Sequence, residues 1–193
     1  MATTTFPIDP PLVLDADLLS CFLHTNHLAL LGKLYPQAVI LDVVRSEIDK
    51  VPSLRSALGQ VTQSGWFSLR SVDVPSDEAA EYAFLTRKKR LPSPLGHGEV
   101  AVMAWVRYNG GTVGSNNLRD VRTYCQDNNL RFMTIRAIVA DAVLNRKNLS
   151  MVDAESFWAA MLTKGRRLPC QTAQEAVDYY STGRGKHHSI WLD

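Results

Sequence analysis

Short, wholly apolar runs alternate along this chain with longer stretches whose apolar residues recur every three or four positions. A short apolar run bounded by polar or turn residues reads as a strand buried on both faces, and the three-to-four spacing reads as a helix. On that basis strands are predicted over residues 12–15, 38–41, 66–69 and 110–115. Helices are predicted over 17–34, broken near Thr25-Asn26 with Asn26 capping the second piece, and over 42–50, 53–63 and 76–90. A turn rich in Pro and Gly, 91–98, leads into a segment from Glu99 to Val106 that is apolar nearly all round, the mark of a helix buried in the middle of a fold. A further helix follows at 117–128, and from Thr134 onward the pattern is helical only. Strands alternating with helices predict an α/β fold with a central parallel sheet covered on both faces. The expected organisation is a single domain spanning residues 1–193, with an α/β core at about 11–134 and a helical C-terminal part at about 135–193. The tail from Gly183 to His188 reads as loose.

Composition narrows the class. Of 193 residues 46% are hydrophobic and 21% charged, as in ordinary globular chains, and 21 basic residues nearly balance 19 acidic ones. Net charge therefore neither requires nor excludes nucleic acid, and local clustering has to decide. Cys21, Cys125 and Cys170 are odd in number and far apart, so neither a disulfide framework nor a thiolate metal site is expected, and a cytoplasmic location follows. Residues 1–10 lack the basic-then-apolar order of a signal peptide, and no apolar stretch has the length to span a bilayer.

Four acids stand beside predicted strand ends or helix starts: Asp15, Glu47, Glu99 and Asp120. In open α/β sheets ligands collect beyond the carboxyl ends of the strands, where Asp15 stands. Carboxylates gathered around a cleft suit Mg²⁺ or Mn²⁺, which favour oxygen ligands and can activate water against a phosphodiester. Plainer roles exist for each: Glu99 and Asp120 complement helix dipoles, Glu47 sits between Arg45 and Lys50 on a solvated face, and Asp17 is a first-turn helix acid. An acid heading a buried apolar helix, as Glu99 does, is costly unless it is paired or metal-bound.

Three stretches in order resemble the PIN-domain nucleases, a family that includes VapC-like toxins. Val13-Leu14-Asp15-Ala16-Asp17-Leu18-Leu19 looks like the family's opening strand with its first acid. Val39 to Ile48 is similar to the segment supplying a second acid, at Glu47, and Gly96-His97-Gly98-Glu99-Val100-Ala101 to the glycine-flanked glutamate helix. The resemblance covers residues 12–132 and implies a PIN-like three-layer fold with extra C-terminal helices. It further implies an endoribonuclease that uses Mg²⁺ or Mn²⁺ and leaves a 5′-phosphate. Asp15, Glu99 and Asp120 would hold the metal, Glu47 would bind a second ion or orient water, and Ser115 and Asn117 would position ligands or the scissile phosphate. A toxin-like role implies an antitoxin partner and a homodimer.

The chain departs from the family at Ser115-Asn116-Asn117-Leu118-Arg119-Asp120, where Asn117 stands in place of the usual aspartate and Asp120 lies one helical turn on. The neutral amide keeps open an alternative, a catalytically weakened PIN domain that binds RNA or protein without cutting. Arg87, Lys88, Lys89, Arg90, Arg119, Arg122, Arg166 and Arg167 are the candidate phosphate contacts, and the basic run 87–90 equally matches a helix C-terminus. Asp15-Ala16-Asp17 also fits the opening of haloacid-dehalogenase-type phosphatases, whose later acid pair the run 115–117 does not supply. Cys21 and His24 share a helix face without a third, orienting group and read as ordinary packing or surface residues. His97 reads as a loop histidine, His187 and His188 as solvated, and Trp105, Phe157 and Trp158 as core.

Overall fold

The computed structural model describes residues 8–61, 65–73, 75–87, 95–182 and 191–192, without the side chains of Val61, Asp120, Trp191 and Leu192. Lys88, Lys89, Arg90, His187 and His188 therefore lie outside the described residues. The chain runs β1 (Leu12–Leu14), α1 (Ala16–His24), α2 (Leu28–Leu34), β2 (Ala38–Leu41), α3 (Asp42–Asp49), α4 (Pro52–Val61), β3 (Phe67–Arg70) and α5 (Asp77–Arg87). It continues with α6 (His97–Asn109), β4 (Thr112–Gly114), α7 (Leu118–Asp127), β5 (Arg131–Met133), α8 (Ile135–Leu144), α9 (Met151–Thr163), α10 (Ala173–Ser181) and β6 (Trp191–Leu192).

The strands form one sheet in the order β3-β2-β1-β4-β5-β6, and every neighbouring pair is parallel. Val13 lies opposite Val39 on one side and Val113 on the other. All residues of β1, β2 and β4 are buried, although successive side chains point to opposite faces, so helices must cover both sides of the sheet. This is the α/β, three-layer, PIN-like arrangement expected, with α8 to α10 as the additional C-terminal helices.

The core explains the strand runs. Leu12, Leu14, Leu18, Leu19 and Ile40 are each at most 1% exposed, and burying one such side chain contributes roughly 1.5–3 kcal/mol. Buried residues of α6 lie on most of its faces (Val100 to Ala104 and Val106), while Trp105 is only half-buried, short of its expected core position. Phe157 and Trp158 of α9 are fully buried, and the Phe157 ring meets Phe22 of α1 at 5.2 Å. The same apolar cluster thus runs from β1 into the C-terminal helices. No described helix is long and apolar enough to cross a membrane.

Three local expectations are corrected. Asn26 does not cap α2: it takes a left-handed backbone (φ 59°), which asparagine tolerates, and His27 becomes the cap. The part from Thr134 onward is not helical only, because Trp191-Leu192 forms β6, and just before it Arg131-Phe132-Met133 forms β5, where the sequence pattern predicts no strand. The helix expected from Glu99 starts two residues earlier, which places Glu99 in its first turn.

Candidate active site

The sheet order reverses between β1 and β4, and in such sheets the crevice beyond the strand ends opens at that switch point. Asp15 follows β1 and Ser115 follows β4. The Asp15 N–H donates to Gly114 O at 2.8 Å, stitching the two ends together. Asp15 is the N-cap of α1, and its Oδ1 accepts the Leu18 N–H at 2.6 Å. Capping occupies one oxygen. The other, Oδ2, is buried and meets no hydrogen-bond partner.

A dry, unpartnered carboxylate oxygen is unfavourable, and the proton affinity of Asp15 responds. Burial raises its pKa from 3.8 to about 8, outweighing the Ser115 hydroxyl and the Leu18 N–H, which lower it, while Asp17 and Glu99 add to the rise. Asp15 is therefore mostly protonated at neutral pH when no cation is near. A cation at Oδ2 would supply the missing partner and displace that proton.

Asp15 opens onto a cleft of about 340 Å³ whose walls include Asp17, His24, Glu47, Glu99 and Arg166. Glu47 is not on a solvated face: Arg45 pairs with Asp49 at 3.0 Å instead, and Glu47 Oε1 accepts the Gly98 N–H at 2.9 Å. Any side chain there would push Glu47 aside. A Cβ at Gly98 would stand 2.8 Å from Glu47 Oε2. Glu99 reaches back to the N–H of Gly96 (3.2 Å) and accepts the Asn117 side-chain amide at 2.9 Å, so the acid heading the buried helix is paired. The Asn117 N–H in turn donates to Ser115 Oγ at 3.1 Å. Ser115 is fully buried and works inside the protein, on Asp15 and Asn117.

The cleft thus gathers three of the four predicted acids, together with Ser115 and Asn117 behind them. Asp120 lies in the first turn of α7, and its side chain is outside the described residues. Among the described residues no group of three His, Cys, Asp or Glu side chains is disposed to hold a metal ion. Arg87, Arg119 and Arg122 do not line the cleft. Arg87 and Arg119 are exposed and Arg122 is half-buried.

Asp17 and His24, read from the sequence as bystanders, belong to the cleft. Asp17, Ser20 and His24 all line it, and their i, i+3, i+7 spacing marks one polar stripe on an otherwise apolar α1. That stripe was the available signal. Asp17 accepts a hydrogen bond from Arg166, which also reaches Ser20 and, at 3.0 Å, the Asp17 carbonyl. Asn116 donates to Asp17 Oδ2 at 3.3 Å and accepts the Ile135 N–H at 2.9 Å, tying β4 to α1 and α8. Cys21, on the same helix, is buried and its thiol is pushed up to about 11 by burial, which leaves it without nucleophilic character at neutral pH.

The chain matches no family model and no curated protein.

Proposed function

We propose that this chain is a PIN-like endoribonuclease that uses Mg²⁺ or Mn²⁺ in the Asp15 cleft, in the manner of a toxin with an antitoxin partner. The observation that carries the reading is the buried, unpartnered Oδ2 of Asp15, a residue that lines a cleft together with further carboxylates. The donors are hard oxygens, as these cations favour. Mg²⁺ keeps several waters and is commonly held by one or two carboxylates plus substrate phosphates, so a ready-made three-residue cage is not a requirement. Three free cysteines suit a reducing cytoplasm.

Asp15 and Glu99 would hold the metal, with Asp120 as the third acid. The bound ion would supply positive charge against the phosphodiester and lower the pKa of a water. Glu47, fixed at Oε1 by the Gly98 N–H, would orient the attacking water through its other oxygen. Arg166 would meet the negative charge that builds on the phosphate as the 3′-oxygen leaves and a 5′-phosphate remains. Asn117 favours one second reading, a weakened domain that binds RNA without cutting, because its uncharged amide already donates to a Glu99 oxygen that an aspartate would leave to a cation.

Mn²⁺ titration followed by electron paramagnetic resonance tests the metal site. Wild-type protein should take up Mn²⁺, and Asp15→Asn should weaken uptake at least tenfold. Mn²⁺ uptake that is equal in the two proteins, or absent from both, contradicts the reading.

A further inference from the structure

A second cavity, of about 190 Å³, adjoins the acid cleft and has the opposite character. Arg136, Arg167, Asn116 and Thr134 are its polar lining, and none of its lining residues is acidic. The Arg136 guanidinium stacks on the Tyr179 ring, 3.8 Å from the ring centroid, with the Tyr180 ring 5.9 Å away. Stacking supports its flat face and the Tyr180 hydroxyl interacts with the guanidinium, but the buried Nε has no hydrogen-bond partner. Two guanidinium groups in a recess without a carboxylate call for an anion, and a phosphate oxygen pair matches their fork of donors.

Two features join this recess to the acid cleft. Asn116 lines it while donating to Asp17, which lines the cleft. The consecutive residues Arg166 and Arg167 divide between them, Arg166 in the cleft and Arg167 in the recess. One strand of nucleic acid lying across both would present successive phosphates to the two arginines.

We propose that the recess formed by Arg136 and Arg167 binds a backbone phosphate of the RNA strand whose neighbouring phosphodiester lies in the Asp15 cleft. The assignment rests on the ribonuclease reading for the identity of the strand, but its test needs no cleavage. The recess anchors the strand through charge and is indifferent to base identity.

Binding of a fluorescein-labelled single-stranded RNA dodecamer, followed by anisotropy in EDTA across a range of salt concentrations, tests it. Arg167 is exposed, so its variants should fold, and thermal melts verify this. Arg167→Ala should weaken binding about fivefold or more and reduce the salt slope by about 0.7, the change expected for one lost contact to a single strand. Arg167→Lys should keep most of the slope, and Arg136→Gln should weaken binding in the same direction. Wild-type affinity and slope in Arg167→Ala overturn the proposal. So does inorganic phosphate binding, read by phosphorus NMR, that depends on Arg167 while RNA binding does not, because the recess then serves a free anion. RNA binding that depends on Arg167 in a protein that never cleaves RNA leaves the recess standing and removes the nuclease reading instead. Absence of RNA binding by the wild-type protein overturns the recess as a strand site.

Discussion

Asp15 serves two masters at the residue scale. Its Oδ1 caps α1, while its Oδ2 stands buried without a partner, and burial raises its pKa from 3.8 to about 8. The sign of the resulting pH dependence follows. Below about pH 4 the carboxyl is protonated whether the chain is folded or not, and the raised pKa has no effect on stability. Between about pH 4 and 8 the folded chain keeps a proton that the unfolded chain releases, so stability falls as pH rises, and it levels off above about 8. Asp15→Asn retains a capping oxygen and removes this penalty. In EDTA its melting temperature should match wild type near pH 4 and exceed it increasingly up to pH 8; a difference that does not change with pH contradicts the account. Asn117 gives a second prediction. Its amide donates to Glu99 at 2.9 Å, so Asn117→Asp sets two carboxylates against each other. The metal-free variant should melt lower than wild type and bind Mn²⁺ roughly tenfold more tightly. Equal Mn²⁺ affinity would show that residue 117 does not bear on the metal. Asp15 was legible in the sequence because it ends an apolar run. Asp17 was not, since a first-turn acid has the same appearance whether it faces solvent or a cleft, and its partner Arg166 lies 149 positions away.

At the scale of elements, the start of α6 decides how the cleft is built. Gly98 brings its N–H to Glu47 and leaves no room for a Cβ beside that carboxylate. Alanine is a better helix former than glycine by up to about 1 kcal/mol, so Gly98→Ala should leave the melting temperature within a few degrees of wild type. The displaced Glu47 should lower RNA cleavage by about tenfold or more, the scale seen when a supporting contact at a metal site is lost. Unchanged cleavage would remove Glu47 from the mechanism. Elements were readable where the apolar pattern was long enough: β2 falls on the predicted residues, and α3 and α9 follow their apolar spacing. β5 has three residues and begins with an arginine, too few to display any period, and it is held in the sheet by β4 and β6. The α1–α2 break was visible, but its cap was not, because a left-handed Asn26 is a choice made by the turn as a whole.

For the whole molecule, the parallel sheet and its switch point put the ends of β1 and β4 side by side, and this juxtaposition makes the cleft. The alternation of strands and helices carried that much from the sequence. It marked Arg166 and Arg167 as basic residues able to meet phosphate, but not where the C-terminal helices would place them. The C-terminal part delivers Arg166 to Asp17 and Arg167 to the neighbouring recess. The acids of the proposed site thus come from residues 15–120 and its basic groups from residues 136–167, and only the packed fold unites them. The most direct test of the central claim is incubation of total cellular RNA with the purified protein and Mn²⁺ or Mg²⁺, alongside EDTA and Asp15→Asn controls. The account predicts fragments bearing 5′-phosphates that appear only with metal and vanish in Asp15→Asn. A folded wild-type protein that cuts no RNA with either metal, or cleavage that survives EDTA or Asp15→Asn, would contradict it.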